Sequence, residues 1–188
     1  EQEINGGRKI VEAGISLCEY VMPGFGGRKM SQGHVRETAR ALNQINPDYI
    51  RLRSLYVSPN MPLWSELQSG DFELQTEDEM VEEIGTLVEN LQVTSYLKSD
   101  HILNMLMEME GKMPQDKQKC LDVINRYLTL PDDERLNFRL GRRAGYYEKL
   151  DDLNNSYAHH KIDEAIKRIS SKGEDVDKAI LNLKNGFI

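Results

Sequence analysis

The residues best suited to chemistry lie where short apolar runs end. Met22-Pro-Gly-Phe-Gly-Gly27 is a glycine-rich turn that closes one such run and leads into a helical pattern. At a strand-to-helix junction backbone N–H groups are free, and anions and cofactors bind there. Gly24, Gly26 and Gly27 either let a ligand approach the backbone or only build a tight turn. Arg51 and Arg53, in a second run, fall on one face of a strand. Two guanidinium groups on one strand face meet carboxylates or phosphates in forked geometry if that face lines a cavity, and are solvated if the strand is an edge. A third run ends in Ser99-Asp-His101, where Asp100 is placed to cap a following helix.

Other chemistry finds little support. Cys18 and Cys120 are far apart in apolar patterns and read as buried, reduced thiols. His159 and His160 are adjacent and point in different directions on a helix, while His34 and His101 have no ligand-spaced partner. No metal motif is recognisable. A formal charge of -7 and a pI near 5.2 argue against nucleic acid, whose phosphates require clustered Lys and Arg. No apolar stretch approaches the roughly 18 residues of a membrane span, and no signal peptide is evident, so a cytoplasmic location without membrane contact is expected.

The elements that must position these residues alternate. Ile4 to Ala13 reads as a helix stopped at Gly14, and Ile15 to Met22 as a strand. Ser31 is a candidate N-cap for a helix with Val35, Ala39, Leu42 and Ile45 on one face, ending before Pro47. Tyr49 to Val57 is a second strand. A connection over 58–75 holds a short helix around Leu63 to Leu67, and Thr76 with Glu79 forms a capping box for a helix whose face carries Met80, Ile84, Leu87, Val88 and Leu91. Val93 to Lys98 is a third strand. Helices are expected from Asp100 to Glu110, Gln115 to Leu130 and Asp132 to Leu140, and two more in an appended tail over 149–188.

The order predicts an α/β fold with parallel strands and helical crossovers. A parallel strand covered on both faces reads as continuously apolar, yet Ile50, Leu52 and Tyr56 alternate with Arg51 and Arg53. Glu19 interrupts the first strand in the same way, and Thr94, Tyr96 and Lys98 alternate along the third. Such strands suggest a shared polar lumen. An eight-stranded barrel takes roughly 250 residues, so about three strands with flanking helices make a partial parallel (β/α) barrel over 1–148, followed by the helical tail 149–188.

Glu19-Tyr-Val-Met-Pro-Gly-Phe-Gly-Gly27, Asn46-Pro-Asp-Tyr-Ile-Arg-Leu-Arg-Ser-Leu55, Ser99-Asp-His-Ile-Leu-Asn104, Glu110-Gly-Lys-Met-Pro-Gln-Asp-Lys117 and Leu140-Gly-Arg-Arg143 together resemble the C-terminal part of a radical S-adenosylmethionine enzyme, over roughly residues 8 to 147. In that family a partial barrel carries a [4Fe-4S] cluster on a Cys-x-x-x-Cys-x-x-Cys loop, and the cluster reduces S-adenosylmethionine to a 5′-deoxyadenosyl radical. This chain has no such triad. The resemblance therefore implies a segment lacking the upstream half of its parent, inactive alone, and expected to hold neither cofactor by itself.

By the same resemblance Met22 and Gly24 match a hydrophobic-x-Gly pattern whose backbone packs on the adenine, with Phe25 and Gly26 beside it. Gly27 stands where the family carries an acidic residue. Arg51, Arg53 and Leu55 belong to the strand beside the adenine, the arginines being candidates for the methionyl carboxylate or a substrate acid. Asp100 and His101 would face the substrate. Other readings are a self-standing α/β module using the Phe25-Gly-Gly27 turn for a nucleotide or phosphate, and a regulatory or assembly domain that docks a partner through its helical tail. A truncated barrel also predicts self-association, or a contact with the missing half, through its open edge.

Overall fold

A computed structural model describes residues 1–186; Phe187 and Ile188, which end the expected tail, lie outside the described residues. The chain is α/β. α1 (Gln2–Glu12) precedes β1 (Cys18–Val21), α2 (Gly27–Ile45) leads to β2 (Tyr49–Leu52), and α3 (Leu63–Ser69) with α4 (Glu77–Asn90) leads to β3 (Tyr96–Lys98). β4 (Gly111–Lys112), α5 (Lys117–Leu128), α6 (Asp132–Arg143), α7 (Ser156–Ser171) and α8 (Val176–Asn185) follow, with a 3-10 turn at Leu150–Asn154.

The sheet is open and runs in chain order, β1-β2-β3-β4. The first three strands are parallel and β4 is antiparallel to β3, a strand the sequence pattern does not announce. Each parallel step moves the same way across the sheet, so right-handed crossovers put α2 and α4 on one face. There Val21, Ile50, Leu52 and Leu97 pack in one core with Val35 and Leu42 of α2 and Ile84 and Val88 of α4. Alternation turns the intervening residues the other way. Tyr20 is 60% and Tyr49 44% exposed on that second face, and Arg51, Arg53, Tyr96 and Lys98 are half-buried. Among the described residues no helix lies over them.

Several expectations are corrected. Glu19 pairs in register with Ile50 and so lies on the helix-covered side, away from the arginines. Cys18 is exposed on the bare face, and only Cys120 is a buried thiol. α2 starts at Gly27, so Ser31 sits inside its first turns instead of capping it. No helix links Asp100 to Glu110: Leu103, Asn104, Met105 and Leu106 are buried in succession, which points to every side of a helix and not to one stripe, and the segment is irregular up to β4. β1 and β2 are shorter than their apolar runs, although Arg53 N–H still donates to Val21 O at 2.8 Å and Leu55 N–H to Pro23 O at 2.9 Å, which keeps their ends aligned.

The tail contributes to the main core through Ala158, Ile162 and Ile180. No helix among the described residues is long and apolar enough to cross a membrane.

Candidate functional site

Parallel strands bring their carboxyl ends to one edge of the sheet, and the sequence-selected residues converge there. Registers Tyr20↔Arg51 and Arg51↔Lys98 make one row across the bare face. Alternation puts Met22, Arg53 and Asp100 in the next row, at the strand ends. Asp100 is therefore not a helix cap. It accepts a forked pair from Arg51, Nε to Oδ1 at 3.2 Å and an η nitrogen to Oδ2 at 2.5 Å. That forked bond, against a smaller effect of burial, holds the Asp100 carboxyl below its usual range and keeps Arg51 protonated.

Arg53 behaves differently. Its guanidinium carbon sits 4.9 Å from the Tyr20 ring centroid, a cation–π distance. Among the described residues no carboxylate reaches it within ion-pair distance, and the same holds for Lys98, whose ammonium lies 5.6 Å from the Tyr96 centroid. His101 leaves Nδ1 buried without a partner. Burial, and then the charge of Arg53, push its pKa below the ordinary histidine range, so the ring is neutral near pH 7.

The glycine turn is built from below. Gly24 has φ +87° and Gly27 φ +58°, left-handed conformations that favour glycine. A Cβ on Gly27 would stand 2.8 Å from Phe72 Cε2 and 2.9 Å from Glu73 O, and one on Gly26 would stand 2.7 Å from His34 Cβ. Packing inside the protein accounts for these glycines. Phe25 and Met22 nonetheless remain outside, 56% and 44% exposed, while Leu55 is buried behind Gly24.

An internal carboxylate occupies the anion seat of this turn. Glu83, 3% exposed on α4, accepts from Gly24 N–H at 3.0 Å and from the Ser31 hydroxyl at 2.5 Å, and lies 3.2 Å from His34 Nδ1. Burial opposes its charge, but the bonds from His34, Ser31 and Gly24 outweigh that and lower its pKa. Three other donors at the turn are also used: Phe25 N–H bonds Met22 O, Gly27 N–H bonds Gly24 O and Arg28 N–H bonds Glu73 O. A phosphate in the Phe25-Gly-Gly27 turn would have to compete with these bonds.

Two further groups escaped the sequence reading of the site. Buried Asn104 accepts from Ser54 N–H at 3.1 Å and donates to Leu52 O at 3.1 Å, tying the end of β2 to the segment after β3. Glu83 carried a legible signal: it falls on the apolar stripe of α4 between Met80 and Leu87, where a charge must find partners. Arg142 and Arg143, which close α6, are buried; Arg143 donates to Glu77 Oε1 at 2.8 Å and to Leu103 O at 2.8 Å, a structural clasp. Beside the turn, a cleft of about 450 Å³ opens between α3 and α8, lined by Leu55, Trp64, Leu67, Leu181 and Lys184 among others.

The cluster implied by the resemblance does not fit these residues. Cys120 is buried in α5, where burial raises its thiol pKa to about 11, and Cys18 lies in β1 on the bare face. Among the described residues no trio of His, Cys, Asp and Glu is gathered for a metal. No protein-family model, curated protein or solved structure matches the chain.

Proposed function

We propose that the chain is the C-terminal segment of a radical S-adenosylmethionine iron–sulfur oxidoreductase, contributing part of a partial (β/α) barrel and of the pocket for S-adenosylmethionine and substrate. The observation that carries this reading is the one-sided sheet. Parallel sheets are ordinarily covered on both faces, yet here successive crossovers wind one way and leave tyrosines and cations on the opposite side. A barrel wall likewise has helices on its outer face and side chains alone on its lumen face, which supports the reading.

On this reading exposed Met22 and Phe25 form an apolar wall for the adenine, with Gly24, Gly26 and buried Leu55 setting the wall's position from behind. Arg51 holds Asp100 in place, and Arg53 is the guanidinium left to meet an acid. Asp100 and His101 lie on the substrate side. The cluster would be held entirely by residues outside this segment, with the upstream half of the parent chain as the partner that closes the barrel.

The reading is tested first by the coding sequence upstream of Glu1. A Cys-x-x-x-Cys-x-x-Cys triad following a predicted strand is the expected result. An upstream region in the same frame that lacks the triad contradicts the proposal.

A further inference from the structure

The charges at the mouth of the bare face do not balance within the described residues. Asp100 is neutralised by the fork from Arg51, at 2.5 and 3.2 Å. Arg53, one row further along the same strand, and Lys98, in register with Arg51, have no carboxylate within ion-pair distance, although both are half-buried. A half-buried guanidinium is stabilised by an anionic partner, and this one lies on the Tyr20 ring, 4.9 Å from its centroid, with Asp100 close enough to feel its charge but committed to Arg51. His101, next to Asp100 after β3, has a buried Nδ1 with no hydrogen-bond partner among the described residues.

We propose that Arg53, flanked by Lys98 and His101, seats the phosphate of a small phosphomonoester substrate. Two uncompensated cations match a group that carries close to two negative charges and three acceptor oxygens at neutral pH. A dicarboxylate spreads the same charge over two separate forks, and among the described residues only one unpaired guanidinium is present on this face, Arg51 being occupied by Asp100. The glycine turn does not compete for the phosphate, because Glu83 fills its anion seat. The inference rests on the barrel reading for calling the ligand a substrate, and on the charges of this chain for its chemistry.

The test uses the 188-residue chain at low ionic strength, titrated calorimetrically with glycerol 3-phosphate and, separately, with succinate. Saturable binding of glycerol 3-phosphate in preference to succinate is expected. Arg53→Gln should weaken it about tenfold or more, the loss of a charge-assisted contact. Lys98→Gln should weaken it by a smaller factor, and Arg40→Gln, on the exposed side of α2, should leave it unchanged. Thermal unfolding without ligand separates a binding role from a structural one: Arg53→Gln should lower the unfolding temperature by no more than about 4 °C, the loss of one cation–π contact. Absence of saturable phosphate binding, a preference for succinate, equal binding by Arg53→Gln, or an unfolding temperature for that variant lowered well beyond this would each overturn the inference. None of these readouts involves a cluster, so failure here leaves the upstream-cysteine test standing, and the reverse also holds.

Discussion

Glu83 joins three parts of the chain at one carboxylate: the glycine turn through Gly24, the first turns of α2 through Ser31 and His34, and α4, which carries it. Its pKa is lowered from 4.5 in the folded state, so the stability it contributes is present above that value and is lost as pH falls through the folded pKa. Glu83→Gln should cost about 1–3 kcal/mol at pH 7. In urea unfolding followed against pH, the gap between wild type and variant should narrow below about pH 4.5; a gap that widens on acidification would show the sign to be wrong. Gly27→Ala should destabilise by more than about 2 kcal/mol, combining a left-handed φ with contacts under 3 Å. Gly6→Ala, in α1 with nothing within 4 Å of the added Cβ, should instead stabilise by about 0.5–1 kcal/mol. Chemical denaturation of both variants measures the contrast. At this scale the arginine pair was legible because strand parity alone puts Arg51 and Arg53 on one face. The partner of Asp100 was not, because it lies 49 residues away in sequence, where no local signal reaches.

Among the elements, α4 announces itself through its Thr76–Glu79 capping box, which forms as the sequence predicts. The strands were legible in place but not in length, since apolar runs continue past the paired residues into buried extended segments such as Leu55 and Val57. The expected helix after Asp100 failed for another reason: Leu103, Asn104, Met105 and Leu106 are buried in succession, and propensity yields to packing there. α3 is the element with least support. It packs through half-buried Leu63, Trp64 and Leu67 onto a small cluster around Leu55, Val57 and Phe72, separate from the main core. Its amides should therefore exchange with solvent at least about tenfold faster than those of α4, whose Val81, Leu87 and Val88 are at most 2% exposed. Equal protection of the two helices in hydrogen exchange would mean that α3 belongs to the same cooperative unit as the main core.

For the whole molecule the one-sided sheet has a physical consequence. β1 is an edge strand with unpaired backbone groups on its outer side, next to a face carrying exposed Tyr20 and Tyr49. The isolated chain should self-associate in a concentration-dependent manner in sedimentation velocity, and a strictly monomeric profile across the accessible range would argue against an open barrel wall. The fold class followed from the order of elements. The bare face followed from the arginines that break the apolar pattern of β2. On the proposed reading, what covers that face belongs to the upstream half of the parent. The central claim, a radical S-adenosylmethionine parent, is tested most directly by producing the polypeptide encoded from the upstream region through Ile188 under anaerobic conditions, reducing it, and assaying cleavage of S-adenosylmethionine. Formation of 5′-deoxyadenosine that is lost when the upstream cysteines are replaced is the predicted result, and an anaerobically folded, reduced protein that leaves S-adenosylmethionine intact would contradict it.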